Sequence, residues 1–178
     1  MNLNILTQNW SYPKDKAVCF TGHRPEKISG YSGDGKEPPD DIKKFLTYQI
    51  EKAVKDGFLV FYNGLAKGID LWAGEIVLDF KKKYPEISLI GIQPFPDHGK
   101  HFAGCYGKSF KKVYDEADII LCTSDIYHKG TFLIRDRFMA DHSSRLIGIC
   151  DMNDKKSGTY YTIDYAKKTG LDCIIMEL

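Results

Sequence analysis

Short apolar runs alternate with longer amphipathic segments along almost the whole chain. The runs cover residues 17–21, 58–62, 88–92, 119–122, 146–150 and 172–176. Between them, apolar residues recur at the three- and four-residue spacing of a helix packed on one face. About six such repeats predict βαβ units, because parallel strands need a long crossover that is usually helical. The expected fold is therefore α/β, doubly wound, with a mostly parallel sheet between two helical layers.

Length and charge limit the number of domains and the kinds of partner. The chain has 178 residues, which suits one domain with a sizeable core. We assign the domain to residues 17–178 and treat residues 1–16 as an N-terminal extension. Lys and Arg number 25 against 24 Asp and Glu, for a net charge of +1. This balance disfavours a polyanion as the main partner, so any recognition of phosphate must be local.

Cysteine usage and hydropathy point to the cytoplasm. The five cysteines are odd in number and contain no C-x-x-C pair, which favours reduced thiols over a disulfide framework or zinc ribbon. The first residues lack a basic stretch followed by an apolar one, and no run reaches the ~18 apolar residues of a membrane span. No metal site is predicted, since His98 and His101 have no clustered Cys or carboxylate set beside them.

The loop after the first strand is the first candidate site. In an open parallel sheet, ligands bind beyond the carboxyl ends of the strands, where the strand order reverses. This loop holds Thr21, Gly22, His23 and Arg24. An arginine offers a planar fork of donors to phosphate or carboxylate, and a histidine donates or titrates near neutral pH. We expect an anion site here; the alternative is an arginine paired with a carboxylate and a surface histidine.

The loop after the second strand is the second candidate site. It runs from Asn63 to Asp70 and leads directly into a predicted helix. Gly64 and Gly68 permit close backbone approach, and a phosphate here would meet unpaired amides and the positive end of the helix dipole. The spacing is neither the P-loop nor the dinucleotide fingerprint. Asp70 has a second interpretation as a helix N-cap.

The remaining candidates lie on or at the start of three predicted helices: Trp72, Glu75, Arg135, Ser157, Gly158 and Thr159. Trp72 and Glu75 are expected to line the pocket, although Trp72 also fits the core face of its helix. Two arginines on one helix, here Arg135 and Arg137, usually indicate a helix face exposed to solvent. Small and hydroxyl residues at 157–159 suit a second phosphate site or an N-cap.

Four strings of the sequence together resemble a known family. They are CFTGHRPEK at 19–27, GLAKGIDLWAGE at 64–75, RDRFMADH at 135–142 and SGTYYT at 157–162. In this order they look like the YpsA family of the SLOG superfamily, collinear over about residues 17–178. The resemblance implies a Rossmann-like nucleotide pocket. The residues expected to hold the ligand are Thr21, Gly22 and Arg24 at one end, Gly64, Gly68 and Asp70 around phosphate or ribose, and Arg135, Gly158 and Thr159 at the far side.

The same superfamily contains the LOG enzymes, which cleave an N-glycosidic bond. They carry R-x-x-x-M before P-G-G-x-G-T-x-x-E, with the Arg and the Glu assisting cleavage. Arg135 and Met139 match the first motif, Gly158 and Thr159 match part of the second, and Thr162 stands where the Glu would be. Hydrolysis would therefore need another carboxylate, for which the candidates are Glu75, Asp70 and Asp125. The candidate catalytic residues are Arg135 and Glu75.

The leading prediction is a binding module or sensor for a nucleotide or nucleotide-derived, phosphate-bearing small molecule. An ADP-ribose-type ligand fits, and a Mg²⁺ ion carried by the ligand is compatible with it. The alternatives are a LOG-like phosphoribohydrolase and, by resemblance to DprA, a single-stranded DNA binder. Basic stretches at 81–83, 111–112 and 155–156 are scattered, which disfavours nucleic acid. Because LOG enzymes are commonly dimers, the resemblance also implies a homodimer.

Overall fold

The computed structural model describes residues 4–5, 12–31 and 37–178. Its strands are β1 (Asn4–Ile5), β2 (Ala17–Gly22), β3 (Val60–Asn63), β4 (Ser88–Gln93), β5 (Ile119–Cys122), β6 (Arg145–Cys150) and β7 (Asp172–Glu177). Its α-helices are α1 (Asp40–Lys55), α2 (Ile69–Lys81), α3 (Gly104–Glu116), α4 (Thr131–Asp141) and α5 (Gly158–Lys168). Two short 3₁₀ turns cover Lys14–Lys16 and Pro25–Lys27.

The strands form one sheet in the order β1-β5-β4-β3-β2-β6-β7, and every pairing is parallel. From β2 the chain steps outward through β3, β4 and β5, then crosses back to place β6 on the other side of β2. The strand order therefore reverses between β2 and β6. Gly22 at the end of β2 is in register with Ile149 near the end of β6. The crevice that binds ligands in such sheets is expected beyond these two ends.

Helices cover both faces of the sheet. Val18 and Phe20 belong to a core formed with α1, α2 and α3, while Ala17 and Cys19 belong to a second core formed with α4 and α5. Successive residues of a strand point to opposite faces, so a strand buried on both sides is apolar at every position. This explains the unbroken apolar runs of the sequence and confirms the Rossmann-like three-layer sandwich.

Two features differ from the sequence predictions by more than a single residue at a strand end. The second predicted strand was expected from residue 58 but begins at Val60, because the Phe58 amide donates to the Ala53 carbonyl (3.1 Å) and closes α1. Gly57, with φ of 87°, makes this helix-ending turn possible. The predicted N-terminal extension contributes the edge strand β1, whose two residues are too few to show an alternating pattern. Residues 1–3 and 6–11 of that extension, and 32–36 of the predicted loop, lie outside the described residues.

Candidate functional site

A cavity of about 390 Å³ opens at the carboxyl ends of β2 and β6, where the strand order reverses. The sequence-predicted residues that line it are Thr21, Gly22, His23, Arg24, Asp70, Arg135, Ser157, Gly158 and Thr159. They come from the end of β2 and the loop after it, the first turn of α2, the middle of α4 and the start of α5. The fold thus brings together segments far apart in sequence, because parallel strands end at one edge of the sheet.

The loop between β3 and α2 is held from beneath by Asn63. The Asn63 side chain is fully buried; its Nδ2 donates to the Asp70 carbonyl (2.5 Å) and its Oδ1 accepts from the Leu65 amide (2.9 Å). Leu65 has φ of 56°, a left-handed conformation that is uncommon outside glycine. Asn63 does not line the cavity. Its observed role is to fix the loop that places Asp70.

Gly64 is the point at which this loop meets α4. Its carbonyl oxygen accepts a hydrogen bond from the Arg135 guanidinium. A Cβ at position 64 would lie 2.5 Å from Arg135 NH1 and 2.7 Å from Asp70 Oδ2, so only glycine lets the two side chains converge. Arg135 is 5% exposed, which corrects the interpretation of its arginine pair as a solvated face; Arg137 alone is exposed.

Asp70 places a buried carboxylate in the cavity. It is 6% exposed, and its Oδ2 accepts from the Ala66 amide (3.3 Å). Burial raises the pKa of Asp70 to about 6; the Asp136 charge adds to the effect, while the Arg135 guanidinium opposes it. Gly68, not Asp70, is the N-cap of α2. The Asp70 carboxyl group therefore changes protonation close to neutral pH.

Asp136 is a site residue that the sequence analysis missed. It lines the cavity, and its Oδ1 accepts from Arg135 Nε (2.7 Å). The hydroxyl of Thr162, the residue at the position of the LOG glutamate, lies 3.3 Å from Asp136 Oδ2 and 2.9 Å from the Gly158 carbonyl. The carboxylate nearest to the position of the LOG glutamate thus comes from α4 rather than α5. In the sequence, an Asp between two arginines is indistinguishable from a surface ion pair.

The loop after β2 lines the cavity with His23, Arg24, Glu26 and Lys27. His23 is 2% exposed, which corrects the alternative of a surface histidine, and burial together with Lys27 lowers the pKa of its imidazole. The His23 amide donates to the Ile149 carbonyl (3.1 Å), which ties the loop to β6. Arg24 is exposed, with its guanidinium 5.8 Å from the Phe132 ring centroid. No described carboxylate lies within 4.0 Å of it, so it is available to an anion.

The start of α5 completes the far wall. Ser157 is the N-cap, and its Oγ accepts from the Tyr160 amide (3.1 Å). Gly158 and Thr159 line the cavity, and the first amides of a helix have no partner within it. A Cβ at Gly158 would meet no atom within 4 Å. The backbone is therefore open to a ligand at this point.

Two predicted site residues lie elsewhere. Glu75 is in a separate groove, where its carboxylate accepts from the Ser109 hydroxyl and lies 3.8 Å from Lys112 Nζ. Trp72 is 5% exposed in the core, with its ring edge-on to Tyr31 at 5.5 Å. Neither residue lines the cavity.

Gly68 and Asp125 also lie outside the cavity wall. Gly68 has φ of 86°, and a Cβ there would lie 2.8 Å from the Pro25 ring, so its glycine is explained by the packing of two loops. Asp125 is exposed in the loop after β5. Within the described ranges, no group of three or more His, Cys, Asp or Glu is placed to hold a metal ion. No described helix has the length and apolarity needed to cross a membrane.

Comparison with known proteins agrees with the resemblance seen in the sequence. Residues 18–175 match the YpsA family model, described as the YspA SLOG family. UPF0398 protein SERP1017 of Staphylococcus epidermidis is 28% identical over 170 residues, with 90% of this chain and 88% of that protein covered. UPF0398 protein SH1465 of Staphylococcus haemolyticus is 27% identical over 167 residues, with the same coverage. The chain belongs to the YpsA family of SLOG proteins.

Proposed function

We propose that this protein binds a phosphate-bearing nucleotide derivative in the cavity at the ends of β2 and β6. The observation that carries the proposal is the convergence on one cavity of an arginine with no ion-pair partner among the described residues, helix-start amides, and the carboxylates of Asp70 and Asp136. This cavity lies at the point where the strand order reverses. Open α/β sheets bind their ligands at such points. A phosphate needs hydrogen-bond donors and positive charge, whereas the hydroxyl groups of a sugar can donate to carboxylates. This cavity offers both kinds of group.

The phosphate end of the ligand is assigned to Arg24 and the start of α5. The Arg24 guanidinium is exposed at the cavity wall, and the amides of Gly158 and Thr159 belong to the first turn of an 11-residue helix. Unpaired amides and the helix dipole both favour an anion there. The absence of a side chain at Gly158 permits close approach.

The sugar end is assigned to Asp70 and Asp136. A carboxylate accepts hydrogen bonds from hydroxyl groups but repels a phosphate, so this side of the cavity suits ribose better than a second anion. Arg135 lies between them: its Nε donates to Asp136 and its charge acts on Asp70. The arginine thus limits the negative charge that the ligand meets. Asn63 and Gly64 support this arrangement without contacting the ligand.

A second function, cleavage of an N-glycosidic bond, is favoured by one observation. Burial raises the pKa of Asp70 to about 6, which suits its carboxyl group to proton transfer near neutral pH. Chromatography of AMP and ADP-ribose incubated with the protein tests this function. Release of free base by the wild type, lost in Asp70→Asn, would support hydrolysis. If neither protein cleaves the nucleotides, the hydrolase function is contradicted and only the binding function stands.

A thermal-shift panel tests the binding proposal. The panel contains inorganic phosphate, ribose 5-phosphate, AMP, NAD⁺, ADP-ribose and a dT oligonucleotide, each with and without Mg²⁺. It is applied to the wild type, to Arg24→Ala and to the matched control Arg137→Ala. Arg24 is preferred to Arg135 because Arg135 also supports the Gly64 carbonyl, so its removal would disturb the fold.

The expected result is a nucleotide that raises the midpoint of the wild type and of Arg137→Ala but not of Arg24→Ala. Saturation at a hundred times Kd adds about 2.7 kcal/mol to the free energy of unfolding, which is several degrees for a chain of this size. The proposal is wrong if no nucleotide shifts the midpoint, or if Arg24→Ala responds like the wild type. A shift by the oligonucleotide alone would indicate strand binding instead.

A further inference from the structure

A second cavity, of about 250 Å³, lies beside the first. Arg24, Glu26, Ala66 and Phe132 line both cavities. One molecule can therefore occupy the two at once, with its phosphate against the first and another portion in the second.

The second cavity has an aromatic wall. Phe95, Phe102 and Phe132 surround the imidazole of His98 edge-on, with ring centroids at 5.7, 5.4 and 5.8 Å from it. Aromatic rings in this arrangement stabilise one another and offer flat apolar surface to a planar guest. The charged side chains of Arg24, Glu26, Lys67 and Asp97 also line the second cavity. Its three phenylalanines and two histidines nevertheless make it more aromatic than the first cavity, whose lining includes Phe20, His23 and Phe132.

His98 contributes to this wall as an uncharged ring. It is 7% exposed, and its Nε2 lies 3.0 Å from the Leu65 carbonyl oxygen. Since a carbonyl only accepts, Nε2 must carry the proton that is donated. Burial and the charge of Arg135 lower the pKa of His98 to about 4, so the ring stays neutral at physiological pH.

The loop that carries this wall is held in place by its own packing. Gln93 Nε2 donates to the His98 carbonyl (3.1 Å). Gly99 has φ of 85°, and a Cβ there would lie 2.3 Å from the Phe110 ring, so the chain turns tightly against α3. The Lys67 ammonium lies 4.8 Å from the Phe102 centroid. These contacts form the cavity before any ligand arrives, which lowers the entropy lost on binding.

We propose that the second cavity holds the planar base of the ligand. The inference rests on the proposed function, because it takes the phosphate and sugar to be in the first cavity. It narrows the ligand class to nucleoside 5′-phosphates and their derivatives and excludes simple sugar phosphates as the preferred ligand. Stacking of a base on aromatic side chains is typically worth about 1–3 kcal/mol, or roughly 5- to 150-fold in affinity.

Calorimetric titration of AMP and ribose 5-phosphate tests this inference, because ribose 5-phosphate carries a hydroxyl group where AMP carries the base. The proteins compared are the wild type, Phe102→Leu, Phe95→Leu and the control Phe80→Leu. Phe80 is also partly buried but packs against Tyr84, away from both cavities. Urea unfolding of each variant establishes that it is folded at the titration temperature.

The wild type is expected to bind AMP at least tenfold more tightly than ribose 5-phosphate. Phe102→Leu and Phe95→Leu are expected to weaken AMP binding about tenfold and to leave ribose 5-phosphate binding unchanged, while Phe80→Leu alters neither. Equal affinity of the wild type for both compounds would overturn the base subsite but leave the phosphate site intact. Failure of both compounds to bind would overturn the proposed function itself.

Discussion

Arg135 donates a hydrogen bond from its guanidinium to the backbone carbonyl oxygen of Gly64, a residue 71 positions earlier in the chain. This bond joins α4 to the loop between β3 and α2 at the wall of the cavity. The same guanidinium donates to Asp136. One arginine thus positions the two backbone segments that carry the carboxylates of Asp70 and Asp136.

Substitution of Gly64 is expected to disturb the site and the fold together. The Cβ of Gly64→Ala would lie 2.5 Å from Arg135 NH1, and overpacking of this kind typically costs about 1–3 kcal/mol. We expect a lower free energy of unfolding in urea and loss of AMP binding. Gly158→Ala is the matched control for stability alone, since its Cβ meets no atom within 4 Å; its free energy of unfolding should stay within about 0.5 kcal/mol of the wild type. Equal stability of both variants would contradict this account of Gly64.

The strand ends account for what the sequence predicts well. The segment at 21–24 spans the end of β2, and the segment at 157–159 follows β6. These strands lie side by side, so the general rule for open sheets predicts both segments at one cavity. The glycine loop at 64–68 follows the next strand along. At these positions the sequence pattern and the strand order indicate the same end of the sheet. The predicted α/β fold class is also confirmed.

Positions on helices are predicted less well, because a helix turns each side chain by a different angle. Glu75 is five residues beyond Asp70, which places it about 140° round α2 and away from the cavity. Asp136 was missed for the opposite reason: only the packing of α4 on the sheet reveals that its carboxylate lines the cavity. The spacing of apolar residues along a helix therefore predicts neither the distance of Glu75 from the cavity nor the presence of Asp136 in its wall.

Asp70→Asn should change how stability depends on pH. The folded state raises the pKa of Asp70 from 3.8 to about 6, so its contribution to stability is present below about pH 4 and is lost as pH rises through 6. Two pKa units correspond to about 3 kcal/mol. The stability of Asp70→Asn relative to the wild type should therefore rise by up to about 3 kcal/mol between pH 4 and pH 8.

Urea unfolding of both proteins at each pH isolates this effect. The buried histidines His23 and His98 have lowered pKa values, so their own contributions are lost as pH falls below about 6.5, but they are common to both proteins. If the difference in free energy of unfolding between the two proteins stays constant with pH, the raised pKa of Asp70 is contradicted.

Asn63 is expected to matter for stability rather than for ligand contact. Asn63→Ala leaves the Leu65 amide and the Asp70 carbonyl without their side-chain partner, and each such buried group typically costs about 1–3 kcal/mol. The free energy of unfolding should fall by about 2 kcal/mol or more. Asn63→Asp keeps the acceptor for the Leu65 amide but places a fully buried carboxylate, which cannot donate, against the Asp70 carbonyl oxygen. At neutral pH we therefore expect a loss of stability at least as large as that of Asn63→Ala. A ranking with Asn63→Asp as stable as the wild type would show that the Asp70 contact is unimportant.

Glu75→Gln should leave nucleotide affinity unchanged. Glu75 bonds to Ser109 in a separate groove and does not line either cavity of the proposed site. AMP titration of Glu75→Gln beside Asp70→Asn compares a distant carboxylate with one in the cavity. A loss of affinity in Glu75→Gln as large as that in Asp70→Asn would show that Glu75 contributes to ligand binding.

The most direct measurement is an NMR titration of AMP into ¹⁵N-labelled protein, which reports on each backbone amide separately. If the cavity at the ends of β2 and β6 binds the phosphate, the largest shift changes will fall on Arg24, Ala66, Gly158 and Thr159. Amides near Glu75 and Ser109 should stay unchanged. Shift changes centred on that other groove, or none at millimolar AMP, would contradict the proposed site.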